Sequence, residues 1–197
     1  MRDLANLVIT MVVIAALSAL ALAQINEMTK GPIAENKKRE LVAALKDVLP
    51  PFDNDPSAEI KEVVTGKDKK GKDVKTVFYL AKQGDQLTGT AFRSLNREGY
   101  AGDIWVLVGV DATGTISGIK IVDHKETPGL GDKYTKQSWY DLFKGKNLDN
   151  ARIAVKKDGG DIDYVTGATI TARAAATAVK DGLESFRKEF GNVQTDR

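Results

Sequence analysis

Apolar residues fill nearly every position of an uncharged segment from Leu4 to Ile25. A helix of roughly 22 residues is about 33 Å long, enough to cross the hydrocarbon core of a bilayer. Because every side of such a helix would be apolar, a soluble amphipathic helix is disfavoured. A cleaved signal peptide is the alternative, but its apolar core is usually shorter than this segment. The pattern therefore favours an uncleaved membrane anchor within residues 1–28.

The pattern changes after Gly31-Pro32, where we expect a break in the chain. Residues 29–52 then predict a juxtamembrane amphipathic helix and linker that ends at Pro50-Pro51. Its apolar positions recur at helical spacing and are Leu41, Val42, Leu45, Val48 and Leu49. The basic side of this helix fits a surface that faces water or lipid headgroups, and a face that docks a partner is the alternative.

Residues 53–197 predict one α+β domain with an antiparallel-rich sheet, because candidate strands precede one long closing helix. The charged turn GKDKKGK separates the first two strands, and IWVLVGV has the continuous apolar character of a buried central strand. The five candidate strands are Glu59–Thr65, Val74–Ala81, Leu87–Leu95, Ile104–Val110 and Ile116–Val122.

The rest of this domain is predicted to be mainly helical. Trp139, Leu142 and Phe143 indicate a short helix, and Arg152–Lys156 is a sixth candidate strand. An apolar stripe runs along a long C-terminal helix over residues 170–190, with Gly191 at the position of a C′ glycine.

Composition narrows the chemistry that this chain can perform. The 197 residues contain no cysteine and one histidine, which excludes disulfides, thiolate metal sites and a multi-histidine centre within the chain. The net charge of +2 does not indicate a nucleic-acid partner. No catalytic triad, carboxylate pair or phosphate-binding loop of the P-loop type stands out.

The segment from Asp163 to Thr169, DYVTGAT, comes directly before the closing helix. One interpretation is a helix cap, in which a threonine oxygen accepts hydrogen bonds from N–H groups of the first turn. The other is a phosphate site, because the same N–H groups and the helix dipole attract an anion. A threonine hydroxyl there could also be esterified by that phosphate.

The segment HKETPGLG, which begins at His124, follows a strong candidate strand. Pro128 and two glycines restrict its backbone, which is typical of a surface turn. It could instead offer backbone groups to the edge of a flat heterocycle, with Glu126 available to a ring N–H. We interpret Gly99–Asp103 as a turn, since it precedes a strand rather than a helix.

Together, HKETPGLG and DYVTGAT resemble the FMN-binding domain of the G subunit of the Rnf electron-transport complex. The related NqrC subunit of the sodium-translocating NADH:quinone oxidoreductase shares the pattern. The resemblance covers the anchor, the segment PIAENKKRE and nearly everything from Gly99 to about Leu183, whereas residues 55–95 match in layout only.

The resemblance implies one covalent FMN per chain. A flavin transferase that uses FAD and magnesium reads DxxTGAT and joins FMN to its last threonine, here Thr169, through a phosphoester. The implied FMN-binding residues around this threonine are Asp163, Thr166, Gly167, Ala168, Ile170 and Thr171. The loop beside the isoalloxazine corresponds to Glu126, Thr127, Gly129 and Leu130.

The resemblance also implies a role, partners and a location. The role is that of a redox subunit without independent catalysis, which passes electrons within an Rnf-type ferredoxin:NAD oxidoreductase coupled to ion translocation. Its partners would be the other Rnf subunits and the flavin transferase. The chain would cross the cytoplasmic membrane once, with a short cytoplasmic stub and an extracytoplasmic domain.

Two alternatives remain open beside the Rnf subunit: an NqrC-type subunit, and a membrane-anchored interaction module without flavin. The orientation also conflicts mildly with charge. Lys37-Lys38-Arg39, just after the span, would favour a cytoplasmic domain under the positive-inside rule.

Overall fold

The computed structural model describes residues 2–67, 73–127 and 131–191. The chain divides into two compact units, residues 1–41 and residues 42–197. We describe each by itself. Residues 68–72, which belong to the predicted charged turn GKDKKGK, and the predicted site residues Gly129 and Leu130 lie outside the described residues.

The first unit consists of helix α1, which spans Arg2–Val48 and continues into the second unit. An 18-residue window of this helix has a mean hydropathy of 2.4 and no buried residue, so it is long and apolar enough to cross a membrane. The predicted break at Gly31-Pro32 is wrong, because Pro32 lies inside the helix. Ion pairs from Lys30 to Glu27 (2.7 Å) and from Arg39 to Glu35 (2.6 Å) join successive turns on either side of Pro32.

The second unit is built on a five-stranded antiparallel meander in the order β1-β2-β3-β4-β5. All five predicted strands are confirmed, with ends within two residues of the expected positions. Alternating residues face a single core, while the central strand β4 is buried along most of its length. The strands are β1 Ile60–Lys67, β2 Asp73–Gln83, β3 Gln86–Asn96, β4 Ile104–Asp111 and β5 Ile116–His124.

Helix α3, Thr169–Phe190, packs across strands β3 and β4 and closes the core. Its small residues allow a close approach, and Gly182 lies where an added Cβ would be 2.4 Å from the Phe92 ring. Gly191 ends the helix in a right-handed conformation (φ −64°), so it is not a left-handed C′ glycine. The predicted closing helix is thus confirmed, with a different C-terminal cap.

Short helical segments connect β5 to α3. They are a 3₁₀ helix at Gly131–Thr135, helix α2 at Gln137–Tyr140, and 3₁₀ helices at Asp141–Phe143 and Lys156–Asp158. The predicted strand Arg152–Lys156 is wrong, because only Val155 makes a β-bridge, to Ile162. A tight turn through Gly159 (φ +77°) folds the chain back on itself there and prevents a longer strand.

The last turn of α1 packs on the sheet face opposite α3. Ala44, Leu45 and Val48 are buried there. Ser117 Oγ donates a hydrogen bond to the Val48 carbonyl oxygen at 2.5 Å, and Lys120 pairs with Asp47 at 2.7 Å. The end of the segment predicted as residues 29–52 is therefore a structural part of the domain.

This contact requires glycine at position 109. A Cβ added there would lie 2.2 Å from the Val48 carbonyl oxygen. We expect Gly109→Ala to destabilise the second unit by about 1–3 kcal/mol, because backbone must move to relieve the overlap. Thermal unfolding monitored by near-ultraviolet circular dichroism measures the effect. Gly31→Ala is the control, since nothing lies within 4 Å of its added Cβ, and equal melting temperatures for the two variants would contradict the packing.

Candidate functional site at the start of helix α3

Buried aromatic residues hold the loop that leads into α3. Trp139 Nε1 donates a hydrogen bond to the Asp163 carbonyl oxygen at 2.9 Å. The Asp163 side chain is exposed and pairs with Lys156 at 2.7 Å. The buried Trp139, which the sequence placed in a short helix, therefore also fixes the backbone of the DYVTGAT segment at Asp163.

Tyr134 is hydrogen-bonded to this loop at Val165. Its hydroxyl accepts a hydrogen bond from the Val165 N–H at 2.8 Å and lies 3.2 Å from the Val165 carbonyl oxygen, to which it donates. The side chain is fully buried, and burial raises the pKa of the Tyr134 hydroxyl. The group therefore stays protonated at neutral pH and can donate and accept at once.

Glu126 connects the other side of the site. Its carboxylate is buried, and it accepts hydrogen bonds from the Ala101 N–H at 3.2 Å and from Thr171 Oγ1 at 2.9 Å. A Cβ at Gly99 would lie 2.8 Å from Glu126 Oε1, so the turn approaches the carboxylate closely. Sequence reasoning missed the Gly99–Gly102 turn as part of the site, because only long-range contacts reveal it.

The first turn of α3 has no side-chain cap. Ala168 occupies the N-cap position, and the Ala172 N–H makes the first bond of the helix, to the Ala168 carbonyl oxygen at 3.3 Å. The N–H groups of Thr169, Ile170 and Thr171 find no partner within the described ranges. The capping interpretation of the threonines is therefore wrong, and the phosphate site at this helix end stays a prediction.

The residues around these N–H groups leave them accessible. Thr166 and Gly167 are exposed, Thr169 is half-buried, and Ile170 is 45% exposed. The Thr169 hydroxyl makes no hydrogen bond to any part of the chain that the structure describes. Gly167 has a φ of +89°, a left-handed conformation that favours glycine and turns the chain sharply into the helix.

The charges near the helix start also suit an anion. The first turn contains no acidic residue. One turn later, Arg173 forms a two-bond ion pair with Asp158 at 2.5 and 2.8 Å, and this pairing lowers the pKa of the Asp158 carboxyl. Asp158 and Asp163, two acidic residues that precede this helix end, are thus paired with the cations Arg173 and Lys156.

The structure brings only part of the predicted segment HKETPGLG to this site. Glu126 reaches Thr171, whereas the Thr127 side chain is exposed. Within the described residues, no cluster of His, Asp and Glu could hold a metal ion. An open groove of about 940 Å³ lies beside the second half of α3, away from the DYVTGAT loop.

Comparison with known proteins identifies a matching family over the residues that form this site. A family model described as an FMN-binding domain matches residues 99–184, a range that contains both the Gly99 turn and the start of α3. The match therefore spans the three segments that meet around Glu126.

The relatives match over most of the chain. The G subunit of the ion-translocating oxidoreductase complex of Escherichia coli K12 is 43% identical over 87% of this chain and 85% of its own length. The corresponding protein of Aliivibrio fischeri is 37% identical over 91% and 89%.

Solved structures of NqrC share the fold. Shewanella oneidensis NqrC is 26% identical, with a TM-score of 0.51 over 66% of this chain and 69% of that one. The protein from Parabacteroides distasonis is 21% identical, with a TM-score of 0.54 over 79% and 90%. The family expected from sequence is thus confirmed: the chain belongs to the family of G subunits of ion-translocating oxidoreductase complexes and carries an FMN-binding domain at residues 99–184.

Proposed function

We propose that this chain is a membrane-anchored electron-transfer subunit of an Rnf-type ferredoxin:NAD oxidoreductase coupled to ion translocation. The identity with known G subunits over about nine-tenths of the chain is the observation that carries this proposal. The FMN-binding domain supports a flavin as the redox group, and the apolar part of α1 supports a membrane anchor. Bound FMN supplies one- and two-electron chemistry, and the protein sets its position and environment.

We place the covalent attachment at Thr169. Its hydroxyl is free within the described structure and sits on the first residue of α3, beside three N–H groups without partners. A phosphate diester keeps one negative charge, which these N–H groups and the helix dipole stabilise. Thr166 is exposed and lies before the helix, so it lacks this setting.

The attachment requires an external catalyst. The Thr169 oxygen would bond to the FMN phosphorus of FAD, the bond from that phosphorus to the AMP part would break, and the hydroxyl proton would pass to a base. An unactivated threonine hydroxyl is a poor nucleophile. Glu126, the buried carboxylate of the site, is bonded to Thr171 and Ala101 instead. We therefore propose that a flavin transferase, with magnesium, supplies the base and is a maturation partner.

The other predicted site residues have distinct places in this proposal. Gly167 and Ala168 bring the backbone close to the phosphate, and Ile170 and Thr171 supply N–H groups. Asp163, paired with Lys156, lies where the transferase would read the motif. Contacts of Thr127, Gly129 and Leu130 with the flavin ring stay predictions.

An NqrC-type subunit is the second candidate, because the solved NqrC chains share the fold. Sequence identity favours the Rnf G subunit, at 37% for the Aliivibrio fischeri protein against 26% for the Shewanella NqrC. A flavin-free interaction module would use the threonines as caps, and the uncapped helix start speaks against it.

Replacing Thr169 tests the attachment. We expect Thr169→Ala, co-expressed with a flavin transferase, to lose all in-gel flavin fluorescence after denaturation in SDS, because no oxygen remains to form the ester. Thr166→Ala is the comparison and should keep part of the signal, because the Thr169 oxygen remains although the motif is altered. A fluorescent Thr169→Ala band would show that the acceptor lies elsewhere, and a dark wild-type band beside an active transferase would reject the flavoprotein.

Topology follows from the same proposal. We propose that α1 crosses the cytoplasmic membrane once and that the FMN-binding domain lies outside the cytoplasm, as the resemblance implies. The basic residues Lys37, Lys38 and Arg39 oppose this orientation by charge alone. A direct measurement is therefore informative.

Reporter fusions after Arg197 measure the orientation. We expect an alkaline phosphatase fusion, which works only outside the cytoplasm, to be active and a green fluorescent protein fusion to be dark. Reversing the charges of residues 37–39 should leave this result unchanged if the folded complex sets the orientation. A bright fluorescent protein fusion with an inactive phosphatase would place the domain in the cytoplasm.

A further inference from the structure

The attachment segment lies between two buried polar contacts that come from distant parts of the chain. Tyr134 holds Val165 on one side, and Glu126 holds Thr171 on the other. We propose that Tyr134 and Glu126 are positioning residues that fix the backbone on both sides of Thr169 and thereby hold the attached flavin in one orientation. The inference rests on the proposed attachment of FMN to Thr169.

The Tyr134 hydroxyl has no other role in the described structure. The ring packs against Trp139, with centroids 4.9 Å apart, and a phenylalanine would keep that contact. Both hydrogen bonds of the hydroxyl go to Val165, one to its N–H and one to its carbonyl oxygen. A single buried hydroxyl therefore restrains the peptide groups on both sides of the Val165 Cα.

Burying the Glu126 carboxylate at this position costs free energy. A buried carboxylate loses much of its hydration, and its hydrogen bonds recover only part of that free energy. No described cationic side chain forms an ion pair with it, and its oxygens are bonded to Ala101 and Thr171. An apolar side chain would fill the same space at a lower free-energy cost. We therefore infer that Glu126 serves to join the Gly99–Gly102 turn to the first turn of α3.

The backbone between Val165 and Thr171 is restrained mainly by these two contacts. Thr166 and Thr169 make no side-chain hydrogen bonds to described residues, and the cap of α3 contributes none. The FMN phosphate would be held by this backbone, so motion of the backbone moves the point from which the ribityl chain and the ring extend. Loss of either contact should release motion at the attachment point without removing the ester.

Two variants and two matched controls separate positioning from general stability. Tyr134→Phe removes the bonds to Val165, and Thr171→Val removes the bond to Glu126. Tyr140→Phe is the first control, because the Tyr140 hydroxyl is also buried but bonds the Ile121 N–H of β5, at 3.1 Å. Thr171→Ser is the second control, since it keeps the hydroxyl.

The experiment uses the full chain in detergent, co-expressed with a flavin transferase. Intact mass gives the loading, and time-resolved anisotropy of flavin fluorescence gives the motion of the ring. In both variants we expect full loading. The mobile fraction should rise roughly fivefold in Thr171→Val, which loses one ordinary hydrogen bond, and at least as much in Tyr134→Phe, which loses two. Tyr140→Phe and Thr171→Ser should match the wild type.

The outcomes distinguish failure of the positioning role from failure of the proposed FMN attachment. Anisotropy equal to that of the wild type in both loaded variants overturns the positioning role and leaves the attachment intact. A wild type without covalent flavin instead overturns the proposed function. If Tyr134→Phe fails to fold, the anisotropy of Thr171→Val alone tests the positioning role. Loss of loading confined to the two variants, with unchanged melting temperatures, contradicts the expected full loading and overturns a role limited to holding the attached flavin.

Discussion

Backbone N–H groups at the start of a helix need partners, and this need organises the site. Within the described residues, the N–H groups of Thr169, Ile170 and Thr171 have no partner, and the first turn of α3 has no side-chain cap and no acidic residue. In water such groups bind solvent, but their alignment with the helix dipole makes them a favourable place for a phosphate. The remaining structure holds this helix end still and accessible.

The fold supports the helix end from two directions. Helix α3 packs across the centre of the sheet through small residues, so its axis is fixed by the core. Two side chains then add polar restraints, Tyr134 from the connection after β5 and Glu126 from the end of β5. The opposite sheet face is covered by the last turn of α1, which packs closely at Gly109. The last turn of α1 is thus a structural part of the second unit.

The sequence predicted the regular elements well because apolar periodicity reports burial directly. Five strands and the long helix followed from it, whereas the proposed acceptor segment DYVTGAT came from the family resemblance. Local patterns failed where distant contacts decide. The bond from Tyr134 to Val165 spans 31 residues, and the bond from Glu126 to Thr171 spans 45. Neither leaves a periodic signal, and Pro32 was misjudged because a long helix can absorb one missing N–H bond.

Peptide mass spectrometry of the matured chain tests the central claim most directly. The protein is purified after co-expression with a flavin transferase, digested, and the peptide that contains position 169 is weighed and fragmented. The account predicts that this peptide carries the mass of FMN, less one water, on the Thr169 side chain. An unmodified peptide, or FMN on another residue, would contradict it.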